Sequence, residues 1–335
     1  MRIVISGAAG GIGSRLAARL NETRKHDLVL LDDLSGGHVS NLGEDLRGAL
    51  IVEQAEALPR FVLEKVASAD VFIHLAGKSS LAECQADQHG AYRSNFLTTV
   101  SLAEVARAAG AQFIFASTSA VYEGLDSELY TEDLAPSPHL VYPMSKYISE
   151  LHLKGLFDSY GFPSTSLRLF NVFGENQDKS RKNPPLVNYI FRQLDGGGSV
   201  KLFAPQHQSR DYVYVEDVLD AIEMSMNKPA KGFQVLNISA GQSISIAEIV
   251  SAIALGANLK DLPIVQGEPG AIWNNFPELF KGHYTLSKAV VESEVLKKSL
   301  GSYQKATLEL GWRPKTNVLR AIEKYAGELK GLPHA

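Results

Sequence analysis

The sequence predicts an α/β protein built on a doubly wound parallel sheet, with a smaller, irregular α/β substrate-binding domain beside it. Three observations carry that reading. Short apolar runs alternate with helical patterns through the first half of the chain. The runs are apolar on both faces, as strands covered by helices on each side must be. A glycine-rich turn separates the first run from the first helical pattern.

In order, the runs are Arg2 to Ser6, Leu28 to Asp32, Leu50 to Glu53, Val71 to Leu75, Gln112 to Ser117 and Thr165 to Phe170. Stacked βαβ units hold ligands beyond the strand C-termini, so the first half predicts a cofactor crevice. After about Asn171 the alternation fails. Pro184, Pro185, the Gly196 to Gly198 run, Pro205, Pro263, Pro269 and Pro277 punctuate the second half. Strand patterns at Asp211 to Val215 and Val235 to Ser239 are candidates to return to the main sheet. The expected division is residues 1–171, with return segments near 211–240, for the cofactor domain, and 172–210 with 241–335 for a discontinuous second domain.

Composition bounds the function. The 335 residues are 45% hydrophobic and 21% charged, enough apolar material for a large core and too much for disorder. Lys plus Arg number 33 against 37 Asp plus Glu, a net charge of −4, so no overall basic field exists to hold nucleic acid or an anionic membrane. Any anion must be caught locally. A single cysteine, Cys84, excludes an intramolecular disulfide and any multi-cysteine zinc site, and no metal is expected. The N-terminal stretch places Arg15 and Arg19 before any long apolar run, and no uncharged run approaches the roughly 20 residues of a membrane helix. A cytoplasmic protein is expected.

The glycines of GAAGGIG are Gly7, Gly10 and Gly13, placed after the first strand and before the helical run Ser14 to Leu20. Glycine there permits a tight turn and close approach of backbone to a pyrophosphate, which rests on the N–H groups and positive dipole of the helix start. The bland alternative is a merely flexible turn. About 19 residues after Gly13 the second strand ends in Asp32, where a carboxylate accepts from ribose hydroxyls and repels a 2′-phosphate, favouring NAD over NADP. Asp32 as an ordinary turn residue is the competing reading.

Tyr142 and Lys146 lie four apart in VYPMSKYISELHL and share one helix face. A lysine beside a tyrosine favours phenolate, which makes the tyrosine a candidate general base. Alone, the pair reads equally as part of an amphipathic helix. The hydroxyl-rich strand end Ser117, Thr118, Ser119 lies upstream and points to the same edge of the sheet.

With these parts in order the chain resembles the extended short-chain dehydrogenase/reductase family, and within it the NAD-dependent nucleotide-sugar epimerases similar to UDP-glucose 4-epimerase. The resemblance runs through GAAGGIG, LVLLDDLSGG, HLAG, Asn95, STSAVY, Tyr142 with Lys146, LRLFNVFG, SRDYVYVEDV, NISAGQSISI and LGWRP, nearly the whole chain. It implies a Rossmann-type sheet, bound NAD and a nucleotide-diphosphate sugar as substrate. Residue by residue, it implies Tyr142 as acid/base and Lys146 on the nicotinamide ribose. Thr118, four before Tyr122, falls on the reacting sugar oxygen with Ser119 beside it, and Gly7, Gly10, Ile12, Gly13, Asp32, Ala76, Gly77 and Asn95 fall in the NAD site. Asn171 falls where the family contacts the nucleotide diphosphate, and Arg210 where it clamps the phosphates. A homodimer through the Asn95 to Ala109 and Tyr142 to Phe157 regions is implied too.

Ala120 stands where the family's dehydratases and decarboxylases carry a glutamate, so the resemblance implies epimerisation, at C4, through a keto sugar. A net oxidoreductase of the same family and a non-catalytic NAD-sensing protein are the other readings. The chain also departs from the pattern. Gln54 and Ala55 occupy the place of an adenine-facing aspartate, and Pro143 follows the tyrosine. Glu268 stands where an arginine usually supplies a second phosphate clamp. Arg181 and Lys182 are candidates for the missing charge, with a solvated basic loop as the preferred reading; Lys78 is read as a loop residue before a second phosphate contact, Trp273, Phe276 and Phe280 as packing before stacking on a base, and an ion pair of Arg210 with Asp211 or Asp217 is the alternative to a clamp.

Overall fold

A computed structural model describes residues 1–177, 181–195, 199–260 and 262–330. The Gly196 to Gly198 break, the Asp178 to Ser180 part of the basic loop and the last residues of the expected second domain lie outside the described residues.

The six runs of the first half form β1 (Arg2–Ser6), β2 (Asp27–Asp32), β3 (Leu50–Val52), β4 (Val71–His74), β5 (Gln112–Thr118) and β6 (Ser164–Leu169). The second half adds β7 (Asn171–Phe173), β8 (Val200–Leu202), β9 (Ser209–Tyr214), β10 (Phe233–Ile238), β11 (Ser243–Ser245) and β12 (Ile264–Gln266). Seven strands make one sheet in the order β10-β6-β5-β4-β1-β2-β3, and each pairing in it is parallel. The chain leaves β1 toward β2 and β3, then crosses back to β4, so the crevice opens between β1 and β4 at the strand C-termini.

Alternation along each strand explains why these runs are apolar throughout. Ile3 and Ile5 of β1 face one side, with Leu30, Ile73 and Ile114, against Leu16 and Leu20 of helix Gly11–Glu22. Val4 faces the other, with Leu31, Phe72 and Phe115, against Leu102 of helix Thr98–Ala109 and Leu153 of helix Val141–Tyr160. Both faces are therefore dry, and polar chemistry is left to the strand ends. Helix Val141–Tyr160 keeps Pro143 within its first turn, where a missing N–H costs nothing, and stops at Gly161 with φ of 68°. No helix among the described residues is long and apolar enough to cross a membrane.

The two return segments part company. Val235 to Ser239 lies in β10 and pairs with β6 in the main sheet, whereas Asp211 to Val215 begins in β9, the centre of a separate three-stranded sheet β11-β9-β7. Both runs read as strands, and the partner across the ladder decides which sheet each joins. β8 and β12 pair in a further small sheet.

Asp211 holds the seam between the sheets. Its fully buried carboxyl accepts from the N–H groups of Ala240 (2.8 Å), Gly241 (3.0 Å) and Gly301 (3.1 Å). Burial pushes its pKa up to about 7, against the pull of those backbone donors. Because the folded value lies above the ordinary one, the stability this group contributes is full below about pH 4 and is lost as pH rises through 7. Urea unfolding of the wild type and Asp211→Asn should show a stability difference that shifts against the wild type between pH 4 and 7; a pH-independent difference would show an ordinary carboxylate. Asp211→Ala, which leaves three buried donors unpaired, should cost roughly 3 kcal/mol or more.

Candidate active site

A cleft of about 1340 Å³ opens along the C-terminal edge of the main sheet and continues into the second half of the chain. A single small-molecule site commonly occupies roughly 300–1,000 Å³, so this one has room for a cofactor and a substrate together. Gly7, Gly10, Ile12, Gly13, Asp32, Ala76, Gly77, Thr118, Ser119, Tyr142, Lys146, Asn171 and Arg210 all line it.

At one end the chain turns tightly out of β1. Gly7 has φ of 74°, and a Cβ there would lie 2.6 Å from Ala76 N. A Cβ on Gly13 would lie 2.0 Å from the Gly7 carbonyl oxygen, so only glycine lets helix Gly11–Glu22 start this close to the strand. The Gly11, Ile12 and Gly13 amides precede the first i→i−4 bond, from Ser14 N to Gly10 O, and form a backbone cradle fit for a dinucleotide pyrophosphate. Asp32 is buried beside it, accepting from Ala9 N (2.9 Å) and Leu34 N (2.8 Å) on separate oxygens. Each oxygen keeps an acceptor position for a ribose hydroxyl. Burial raises its pKa, opposed by those two backbone donors. Gln54 and Ala55 also line this end, Gln54 held by Arg93 at 2.8 Å.

Asn95 is not on the wall. It sits fully buried behind it, on the π-helical turn Arg93–Leu97. Its Oδ1 accepts from Lys78 N (2.8 Å), while its Nδ2 donates to Lys78 O (3.0 Å) and Ser145 Oγ (2.8 Å). It staples the Gly77–Lys78 wall to helix Val141–Tyr160. Gly77 is cradled there at φ of 150°, where a Cβ would lie 2.7 Å from Asn95 Oδ1 and 3.2 Å from Lys146 Nζ.

At the centre, Tyr142 and Lys146 meet the end of β5. Thr118 stands beside the Tyr142 phenol and favours its ionised form, and its Oγ1 accepts from Ala120 N at 3.1 Å. Lys146 is buried, its Nζ donating to Ala116 O (2.9 Å) and lying 4.8 Å from the Phe115 ring centroid. Burial dominates both groups: it pushes Tyr142 up to about 12, against Thr118, and Lys146 down to about 8. The protein's own lysine therefore does not bring the phenol near neutrality, because its charge is spent on a carbonyl and a ring and is itself costly to bury. Cys84 packs beside Tyr142, fully buried and pushed up to about 12 by burial, an inert thiol.

The helix carrying the pair is anchored from below. Arg168 of β6 donates to Glu150 Oε1 (3.0 Å) and Oε2 (2.7 Å) and to the Tyr122 hydroxyl (2.8 Å), while Ser117 Oγ donates to Glu150 Oε1 at 2.5 Å. Tyr122 in turn donates to Asn237 of β10 at 2.9 Å.

At the far end, Asn171 Nδ2 donates to Asp211 O at 2.7 Å, and Arg210 lies on the wall of the cleft. The partner of Arg210 is neither Asp211 nor Asp217, which bind backbone amides elsewhere, but Glu294. Its Nη1 donates to Glu294 Oε1 (3.1 Å) and its Nη2 to the Glu294 carbonyl (2.5 Å), while Lys297 Nζ stands 2.7 Å from Glu294 Oε2. Glu294 is buried, and Lys297 and Arg210 together outweigh that burial and lower its pKa. Two cations flank one carboxylate, leaving net positive charge in the wall. No local sequence signal linked Glu294 or Lys297 to Arg210.

Glu268 is exposed and off the wall, so no carboxylate from that position faces a bound diphosphate. Arg181 and Lys182, read as a solvated loop, line the cleft instead: Arg181 Nη1 donates to Ser79 Oγ (3.1 Å), and Lys182 Nζ lies 5.1 Å from the Phe276 ring centroid. Lys78 also lines it, paired with Asp87 at 2.7 Å. Trp273, Phe276 and Phe280 pack together with Leu140 and Val291, the first two also reaching the wall.

The pattern that defines the NAD dependent epimerase/dehydratase family matches residues 3–239. A UDP-glucose 4-epimerase of Mycolicibacterium smegmatis is 31% identical over 276 residues, spanning 78% of this chain and 85% of that protein. An ADP-L-glycero-D-manno-heptose-6-epimerase of Pseudomonas aeruginosa is 26% identical over 313 residues, 89% of this chain and 93% of that one. The crystal structure of a UDP-glucose 4-epimerase from Thermus thermophilus, complexed with NAD, superposes with a TM-score of 0.82 at 25% identity, covering 99% of each chain.

The placement of Asn95 behind the wall has a measurable consequence. Asn95→Ala leaves the Lys78 N–H and Ser145 hydroxyl without their buried partner, so it should destabilise the protein by about 2–4 kcal/mol and weaken NAD binding at least tenfold. Chemical unfolding and NAD titration check this; wild-type affinity in the variant would show that the staple does not shape the wall.

Proposed function

The chain belongs to the NAD dependent epimerase/dehydratase family, and from that premise we propose that it inverts C4 of a nucleotide-activated sugar through a transient keto sugar. One observation carries the proposal: Thr118, Tyr142 and Lys146 converge midway along a cleft with the glycine cradle and Asp32 at one end and Arg210 at the other. A nucleotide sugar whose diphosphate lies at Arg210 presents its hexose to Tyr142.

In this reading Tyr142 takes the proton of the C4 hydroxyl and later returns it, with Thr118 hydrogen-bonding the same oxygen. NAD, when bound, supplies a reversible two-electron acceptor and is regenerated in the cycle. Lys146 stands next to Gly77 on the cofactor side, where it would hold the nicotinamide ribose, and the positive charge of a bound nicotinamide would favour the phenolate that Tyr142 needs to accept the proton. Ser119 completes the hydroxyl-lined end of β5, and Asn171 and Arg210 hold the diphosphate, Arg210 oriented by Glu294. Ala120 offers no acid at the wall to drive elimination, which supports epimerisation over dehydration.

We further propose a soluble cytoplasmic homodimer. Leu97 and Leu151, each 49% exposed, lie on the two segments expected to pair, where a second copy would cover them.

Tyr142→Phe should reduce turnover by roughly 10²–10⁴-fold with NAD affinity within about twofold; equal activity in the variant would remove Tyr142 from the chemistry. Proton NMR of the protein with NAD and a panel of UDP-, GDP-, CDP-, ADP- and dTDP-sugars should show inversion at C4 without net NADH. Stoichiometric NADH with a new carbonyl would make it a net oxidoreductase instead. Light scattering at micromolar concentration should give twice the chain mass, and a monomer would overturn the dimer.

A further inference from the structure

Glu123 is a buried carboxylate, 5% exposed, that no step described so far uses. It stands off the wall of the cleft, yet it joins the two segments that supply the proposed chemistry. On its own side, Thr118 ends β5 and the chain makes a single tight turn over Ser119–Tyr122. Thr118 Oγ1 accepts from Ala120 N (3.1 Å) at the start of that turn, and Glu123 N donates to Ala120 O (2.9 Å) at its end. Thr118 and Glu123 are therefore the two ends of one small hydrogen-bonded unit.

On the other side, the carboxylate reaches the entry to helix Val141–Tyr160. Glu123 Oε2 accepts from His139 N and Leu140 N, both at 3.0 Å. The next amide, Val141 N, donates at 3.1 Å to Gln85 Oε1 of helix Leu81–Ala86. Gly124, with φ of 77°, lets the turn come this close, since a Cβ there would lie 2.4 Å from His139 Cε1.

The start of a helix exposes amides that no earlier turn can bond, and a Ser, Thr, Asp or Asn at the cap ordinarily takes one of them. This helix has no such residue. Its cap is Leu140, buried with Ala82, Trp273 and Phe276, and a leucine side chain has nothing to accept with. Pro143 has no N–H, and the first i→i−4 bond runs from Met144 N to Leu140 O at 3.1 Å. Tyr142 is the second residue of the helix, so it sits in the turn that frays first. The ion pair of Glu150 with Arg168 grips the helix about two turns farther on and leaves the first turn to other partners.

We infer that Glu123 is a positioning residue for Tyr142: tied to the Thr118 turn and bonded to the helix entry, it sets how the phenol and the Thr118 hydroxyl stand relative to each other. Gln85 secures the next amide, and an anion suits the positive end of the helix dipole. The clamp matters to turnover through the proposed roles of Tyr142 and Thr118, on which the inference rests. A misplacement of about 1 Å in such a pair costs up to roughly 10²-fold in rate. Cofactor binding, which uses the glycine turn and Asp32 at another part of the cleft, does not depend on it.

The test compares the NAD-loaded full chain as wild type, Glu123→Ala, Glu123→Gln and Gln85→Ala, with Tyr142→Phe as the reference. Amide hydrogen exchange followed by mass spectrometry should show residues 139–146 exchanging roughly tenfold faster in Glu123→Ala, with the rest of the helix near wild type. With a nucleotide sugar that the wild type turns over, Glu123→Ala should lose roughly 10- to 100-fold in kcat while KM and NAD affinity stay within about threefold. Glu123→Gln keeps an acceptor oxygen at the same length, so it should slow the exchange again and restore most of kcat. Gln85→Ala, which removes one bond, should fall between them. Wild-type exchange in Glu123→Ala overturns the clamp, and this arm needs no substrate. A loosened first turn with wild-type kcat overturns the positioning role, as do equal losses in kcat, KM and NAD affinity, or a Glu123→Gln variant as impaired as Glu123→Ala. Full activity in Tyr142→Phe would instead remove Tyr142 from the chemistry, a failure of the proposed function that the exchange arm separates from failure of the clamp. Should Glu123→Ala not fold, Glu123→Asp, which draws the acceptor back from the helix entry, takes its place in every comparison.

Discussion

Everything on the floor of the cleft depends on one buried ion pair. Glu150 lies one helical turn beyond Lys146, and Arg168 grips both of its oxygens from β6. Such a pair is an expensive way to fasten a helix, since each charge gives up its hydration; it holds only because further partners satisfy the remaining valences. Ser117 completes the carboxylate and the Tyr122 hydroxyl completes the guanidinium. The payoff is geometric, because the rotation of helix Val141–Tyr160 about its axis decides whether Tyr142 and Lys146 meet Thr118 or point away. Apolar packing alone tolerates some sliding, whereas a two-pronged charge contact has a single register.

Polarity along the cleft is graded. At the cofactor end a carboxylate and a ring of backbone amides sort a ribose from a phosphate. In the middle, burial disfavours charge on both groups, holding the Tyr142 phenol protonated and lowering the pKa of the Lys146 ammonium. Beyond them Arg210, Lys297, Arg181 and Lys182 restore positive charge to a protein whose total is negative. A polyanionic ligand is thereby drawn along the groove rather than onto the surface at large.

Much of this was legible from the chain because its logic is local. The glycine spacing, Asp32 at a strand end, Thr118 at another and the four-residue step from Tyr142 to Lys146 each state a geometry within one element and its next turn. Contacts that depend on distant partners were not. Arg210 and Glu294 are 84 residues apart, and nothing in either neighbourhood announces the other. Asn95 was readable as a cofactor-site residue but not as a brace behind the wall, since its three bonds reach Lys78 and Ser145 through the fold. β9 and β10 both read as short strands after the alternation fails, and the ladder partner decides which belongs to the main sheet and which to the smaller one. Burial, the cause of the shifts at Tyr142 and Lys146, is likewise a property of the assembled core.

The place of β10 bears on how the protein is made. β6 ends at Leu169, but the strand that covers its open side begins only at Phe233, after the chain has threaded through β7, β8 and β9. During synthesis the nascent sheet therefore waits with an unprotected edge of backbone donors and acceptors, the kind of surface on which chains join one another. Closing that edge also delivers Asn237 to Tyr122, so completion of the sheet and locking of the charge network beneath the cleft are one event. The cofactor half is thus unable to mature as an independent unit, and folding of the two halves is coupled by topology before any ligand couples them in function.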